Sequence, residues 1–144
     1  MVDHLLRPVG LILSAGQAGD NPQLAPLLDA YQNCWGHGPG RPKIHLLADK
    51  AYSHPSTRAH LRGKRISHTI PERSDQQQHR KSKGSAGGRP PTFDPTLYAR
   101  RNTIERCFGR FKQWRGLATR YDKYATVYLG GLTLAAALMH SPQN

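Results

Sequence analysis

The sequence predicts an α/β fold with a mostly parallel sheet, and three observations carry that reading. Short apolar runs alternate with helix-like segments through the first half of the chain. The second half carries two long segments with helical spacing and no strand pattern. The length of 144 residues suits one domain with a modest core, spanning 1–144.

The first element is VGLILSAG, Val9–Gly16, an apolar run ended by Gly that reads as a buried strand. NPQLAPLLDAYQNCW follows as a helix. Asn21 can cap it, Pro22 suits its first turn, and Leu24, Leu27, Leu28 and Tyr31 keep helical spacing. GHGPGRP, Gly36–Pro42, reads as a loop, and KIHLLAD, Lys43–Asp49, as a second strand. Ser53–Arg65 reads as a short basic helix and ISHTIP, Ile66–Pro71, as a third strand, giving β-α-β-α-β. Residues 72–92 are almost devoid of apolar side chains and rich in Gly and Pro, which reads as an exposed, mobile basic loop. Its cations, Arg80, Lys81 and Lys83 among them, suit phosphates, and a solvated linker is the bland alternative. A helix over about 94–115 opens with Asp94 as cap and Pro95 at the first helical position, and a last helix covers about 124–140.

Charge narrows the function. Lys and Arg number 21 against 9 Asp and Glu, a net charge of +12, which favours a polyanion such as nucleic acid. A basic but catalytically idle protein has the same composition. Cys34 and Cys107 are far apart and form neither a disulfide framework nor a zinc spacing, which fits a reducing cytoplasm. The apolar run Tyr124–Met139 is about 16 residues, short of the roughly 20 that cross a bilayer, so no membrane role is expected. Cys107 and Trp114 read as packing residues.

The stretch YARRNTIERCFGRFK, Tyr98–Lys112, holds one acid among many cations. On a continuous helix at ~100° per residue, Tyr98, Arg101, Glu105 and Lys112 fall within an arc of about 60°. Leu97, Ile104, Phe108 and Phe111 form an apolar stripe beside them, which puts Glu105 at the rim of the core. Glu105 is then either a partner of Arg101 or a fixed, half-buried carboxylate of the kind a hard cation requires. Asp49, at the end of the second strand, is the candidate second carboxylate, since open α/β sheets build sites at the carboxyl ends of strands; a turn or cap is its other reading.

Tyr98-x2-Arg101-x3-Glu105-x6-Lys112 matches the Y-x2-R-x3-E-x6-K signature, and with LLADKAY around Asp49 the chain resembles the DDE transposases of bacterial insertion sequences, of the large four/five class. IPERSDQQQHRKSKGSAGGRPPTFD and WRGLATRYDK resemble the family's segments before and after its glutamate helix. The resemblance runs from about Pro8 to the C-terminus.

It implies an RNase-H-like fold in which two aspartates and a glutamate hold Mg²⁺ or Mn²⁺ for phosphodiester cleavage and strand transfer. Carried over, Asp49 and Glu105 are catalytic, metal-holding acids, while Tyr98, Arg101 and Lys112 hold phosphates of the element's end. The family's first aspartate has no counterpart: Asp3 falls where the family has a hairpin turn, and Asp20 at the start of its first helix. The expectation is therefore a partial RNase-H-like fold lacking its first two strands, inactive alone. Either an upstream-frame polypeptide supplies the first Asp, or the chain is a truncated remnant. The implied partners are double-stranded DNA, at insertion-sequence ends and target, and a second copy in a homodimer. The location implied is the cytoplasm, on the nucleoid. The other reading is a non-catalytic DNA-binding remnant or a regulator of an intact transposase.

Overall fold

The computed structural model describes residues 1–35 and 43–141. The Gly36–Pro42 loop lies outside the described residues. The chain is mixed α/β, mostly helical, with a small two-stranded parallel sheet. It divides into two compact units, one of Met1–Ala18, Pro26–Gly36 and Asn102–Asn144, the other of Gly19–Ala25 and His37–Arg101.

The second unit is built on a β-α-β crossover. β1 (His45–Leu47) pairs in parallel with β2 (Ser67–Thr69), Leu46 standing opposite His68. Between them runs α2 (Pro55–Gly63), whose first turn is fixed by Pro55 and by His54, whose Nδ1 accepts from the Ser56 N–H at 3.3 Å. Leu61 of α2 and Ile66 and Ile70 around β2 are buried, and they form the apolar layer that a two-stranded sheet needs in order to persist. The strand, helix and strand expected over residues 43–71 are all present, each shortened at its ends.

Two expected features of this unit differ. Residues 72–92, read as a loop, contain a helix, α3 (Ser74–Ser82), and a 3-10 turn at Gly84–Gly87. Their polarity says only that no face is buried. The helix closes on local bonds instead: the Arg73 N–H donates to Gln76 Oε1 at 3.3 Å, and Arg80 grips both oxygens of Glu72 at 2.8 and 3.3 Å. Asp75 lies in its first turn and His79, Arg80 and Lys81 in its last, so both ends match the helix dipole. Gly84, at φ 54°, then takes the left-handed conformation that ends the run.

The helix expected over 94–115 is broken. α4 (Pro95–Ala99) is capped as foreseen, Asp94 Oδ1 accepting from the Leu97 N–H at 3.0 Å. It closes with tight i→i−3 bonds, Arg100 N–H to Leu97 and Arg101 N–H to Tyr98. α5 starts afresh at Asn102 and runs to Lys112. Tyr98 and Arg101 therefore do not share a helix with Glu105.

The first unit packs α5 against α7 (Ala125–His140). Cys107 and Phe111 meet Ala135, Ala136 and Met139, with Leu117 of α6 (Arg115–Thr119) at the side. Gly131 makes room for this: a Cβ there would stand 3.2 Å from Leu117 Cδ2. α1 (Leu24–Trp35) follows a 3-10 turn at Asn21–Gln23 and buries Leu24, Leu28 and Gln32. Among the described residues no helix is long and apolar enough to cross a membrane.

Val9–Gly16, read as a strand, joins no sheet among the described residues; beside the isolated Val2–Pro8 bridge, the Val9 N–H donates to the Met1 carbonyl at 3.0 Å and the Met1 amino group to the Gly10 carbonyl at 2.6 Å. Pro8 has no N–H with which to extend a ladder. Leu11 packs on the α5–α7 core, while Ile12 and Leu13 are exposed. A strand is defined by its neighbour, and among the described residues this apolar run has no strand beside it.

Asp3 makes the turn expected of it. Its Oδ1 accepts from the N–H groups of Leu5 and Arg7, each at 2.9 Å, and its Oδ2 from Arg7 Nε at 2.7 Å. This holds Leu6 at φ 64°, a left-handed conformation costly for a leucine. Partial burial pushes the Asp3 carboxyl up, but the Arg7 N–H, the Arg7 guanidinium and the Leu5 N–H together outweigh it and hold it below the ordinary aspartate range. A depressed carboxylate stabilises the fold above its unfolded pKa, and that contribution is lost as pH falls through the folded value. Asp3→Asn is expected to cost about 1 kcal/mol at pH 7, solvent screening keeping it small, with the gap from wild type closing below about pH 4. Urea melts at a series of pH values check this; a gap independent of pH would contradict the carboxylate's role.

Candidate functional site

In the second unit, β1 ends at Leu47, buried Ala48 donates its N–H to the Thr69 carbonyl at 3.4 Å, and the chain then turns at Asp49. Asp49 is extended, at φ −78° and ψ 177°, and caps a 3-10 turn over Lys50–Tyr52. Its Oδ1 accepts from the Ala51 N–H at 2.8 Å, and its carbonyl accepts from the Tyr52 N–H at 3.1 Å. The cap reading of Asp49 thus holds, and it fixes a half-buried carboxylate at the carboxyl end of a parallel strand. Tyr52 is a neighbour that the sequence reading missed. Burial raises its phenol pKa, and the carboxylates of Asp20 and Asp49 push it further up. Its position three residues after Asp49, closing a single turn, was the available signal.

Asp20 sits at the cap position of the Asn21–Gln23 turn but caps it only through its backbone, which accepts from the Gln23 N–H at 3.0 Å. The Asn21 side chain does not cap a helix either; its Oδ1 accepts from Thr57 Oγ1 at 2.9 Å, tying this turn to α2.

Arg58 is a second missed residue. It lies on α2, is buried, and donates from Nη2 to the Ile70 carbonyl at 2.9 Å, just past β2. Burial lowers its pKa, and the nearby Glu72 carboxylate opposes that.

The signature residues divide between the units. Tyr98 and Arg101 stand together in the second: the Arg101 guanidinium lies 5.7 Å from the centroid of the Tyr98 ring, which also meets Phe93 at 5.2 Å. Arg80 is engaged by Glu72, whereas Lys81 and Lys83 are exposed. In the first unit, Glu105 and Lys112 lie two turns apart on the same face of α5, and both are exposed. The expectation of a half-buried Glu105 at the rim of the core is thus corrected. The buried face of α5 is the one bearing Cys107 and Phe111, and Phe108, placed in the apolar stripe, is 58% exposed. Cys107 packs as expected, its thiol pushed up by burial. Trp114 is 42% exposed.

Asp49 and Glu105 are oxygen donors of the kind Mg²⁺ prefers. Among the described residues no group of three or more His, Cys, Asp or Glu is arranged to hold a metal ion. The donors fit by kind and fall short by number.

A parallel β-α-β unit with an acid fixed at the end of its first strand puts that acid where open α/β sheets build their sites. The chain belongs to the transposase DDE domain family, whose model matches residues 1–139. It is 29% identical over 143 residues to a Brucella ovis protein named as a transposase for insertion sequence element IS6501, covering 96% of this chain and 92% of that one. No solved structure matches. Membership places the chain among proteins of DNA transposition, a family that generally uses divalent metal ions.

Proposed function

We propose that the chain is the C-terminal part of a DDE transposase catalytic core, a partial RNase-H-like fold lacking its first two strands. The observation that carries this is Asp49, fixed by its own turn at the carboxyl end of β1 in a chain that the family model matches almost throughout. Asp49 and Glu105 would supply two of the carboxylates that hold Mg²⁺ or Mn²⁺. Such an ion, when bound, lowers the pKa of an attacking hydroxyl and stabilises the leaving oxygen in phosphodiester cleavage. Tyr98, Arg101 and Lys112 would hold phosphates of the insertion-sequence end, with Lys81 and Lys83 as further phosphate contacts. Arg80 joins them only by leaving Glu72.

On this reading the chain acts in the cytoplasm on nucleoid DNA, as a homodimer on two ends, with the first aspartate contributed by an upstream-frame polypeptide. The second reading, a DNA-binding remnant or regulator without catalysis, is favoured by one observation: the net charge of +12 suits a polyanion whether or not the chain catalyses. The test combines this chain with the polypeptide encoded directly upstream and assays Mg²⁺-dependent cleavage of the element's own ends. Cleavage by the pair and not by either part supports the enzyme; no cleavage by the pair leaves the DNA-binding reading.

A further inference from the structure

The stretch from Arg106 to Tyr124, all within the first unit, carries an unusual surface. It holds Lys or Arg at six positions against one acid, Asp122. Large aromatic side chains in it are left in solvent: Phe108 is 58% exposed, Trp114 42%, Tyr121 66% and Tyr124 75%. Only Phe111 of its aromatics is buried in the core. Packing does not explain the other four, and neither does the α5–α7 core, which is filled by Cys107, Phe111 and the small residues of α7.

Each exposed ring has an exposed cation beside it. Arg120 precedes Tyr121, Lys123 precedes Tyr124, Arg115 follows Trp114, and Lys112 lies one turn from Phe108 on α5. Both tyrosines follow the bend at Arg120, whose φ of 50° is left-handed, and Tyr124 precedes α7 without a side-chain capping bond. Their rings are therefore held outside regular structure and do no capping work.

This alternation selects among partners. Six cations against one acid give the stretch a single sign of charge, which a polyanion matches and a protein surface of mixed sign does not. A DNA duplex offers phosphates to the cations but hides the faces of its bases from the rings. A single strand offers both, a phosphate for each cation and a base face for each aromatic. We infer that Arg106–Tyr124 is a binding surface for single-stranded DNA, with bases stacked on its exposed aromatics and phosphates held by the cations between them. The inference does not depend on Asp49 or Glu105 being catalytic.

The test is anisotropy of a labelled 20-nucleotide oligothymidylate, a 20-base-pair duplex and an oligouridylate, titrated with the full chain. The variants are Tyr121→Leu/Tyr124→Leu, which keeps apolar bulk and removes the π faces, and Tyr121→Phe/Tyr124→Phe, which keeps them. Both tyrosines are exposed, so neither variant removes core packing, and circular dichroism verifies the fold. Wild type should bind the single strand more tightly than the duplex. The Leu pair should weaken single-strand binding about tenfold or more with an unchanged salt slope, and the Phe pair should stay within about twofold of wild type. Equal loss in the Leu and Phe pairs, no loss in either, or duplex binding as tight as single-strand binding would overturn the inference. Tighter binding of the oligouridylate would overturn the assignment to DNA. Single-strand binding is read without Mg²⁺ and without cleavage, so failure of the catalytic reading and failure of this one give different results.

Discussion

Glu105→Gln is expected to remove Mg²⁺-dependent cleavage by about 10³-fold in the complex proposed with an upstream polypeptide, while DNA binding without metal holds or tightens. The two halves of this expectation come from one charge. A carboxylate supplies a hard anionic oxygen to a divalent cation, and an amide of nearly the same shape supplies a weaker, neutral one. A loss of about 10³-fold corresponds to ~4 kcal/mol of transition-state stabilisation. Without a cation the same carboxylate repels phosphates, so its removal favours binding in EDTA.

The exposure of Glu105 makes the experiment clean. The side chain stands on the solvent face of α5, opposite Cys107 and Phe111, and its replacement leaves the α5–α7 core intact. Asp49→Asn is expected to behave alike in cleavage and to keep the Lys50–Tyr52 turn, because an Asn amide oxygen still accepts from the Ala51 N–H. A Glu105→Gln protein that cleaves at wild-type rate would sink the metal role, and one that fails to bind DNA would show that Glu105 acts through structure.

How much of this was legible in the chain depends on where the information lies. The β1-α2-β2 crossover was readable because its signals are local and agree: apolar runs at strand length, Pro55 at a helix start, and basic residues in the last turn of α2. The Asp94 cap was readable for the same reason, whereas the turn at Asp3 was read from the resemblance to the family. Val9–Gly16 was not, since an apolar run becomes a strand only beside another strand. α3 was missed because polarity reports exposure, and an exposed helix held by a Glu72–Arg80 pair looks like a loop in composition. The burial of Glu105 was misjudged through continuity. The wheel placed Tyr98 to Lys112 on one cylinder, and two tight bonds at Arg100 and Arg101 end that cylinder before Glu105. The buried face of α5 is set by what α7 offers it, Ala135, Ala136 and Met139, and that partner is not visible from the spacing of α5 alone.

Arg58→Ala is expected to destabilise the chain by about 2–3 kcal/mol, the largest stability effect among polar substitutions argued from this fold. Arg58 is 8% exposed, yet charged, and its Nη2 donates to the carbonyl of Ile70, a residue with no exposed surface. Truncation to Ala leaves that carbonyl without its donor where water does not readily replace it, and empties the volume of a long side chain beside Leu61 of the same helix. It also removes a positive charge near Glu72, which keeps Arg80 as its partner, so the electrostatic loss is partly covered. Two variants separate these contributions. Arg58→Met keeps the stem and loses the donor; Arg58→Lys keeps a donor but not the planar reach of guanidinium. If the bond to Ile70 dominates, Met and Ala should lose similar amounts and Lys should recover part. If packing dominates, Met should approach wild type. Urea unfolding midpoints at constant slope measure this, and an Arg58→Ala midpoint equal to wild type would mean that the end of β2 is held by something other than Arg58.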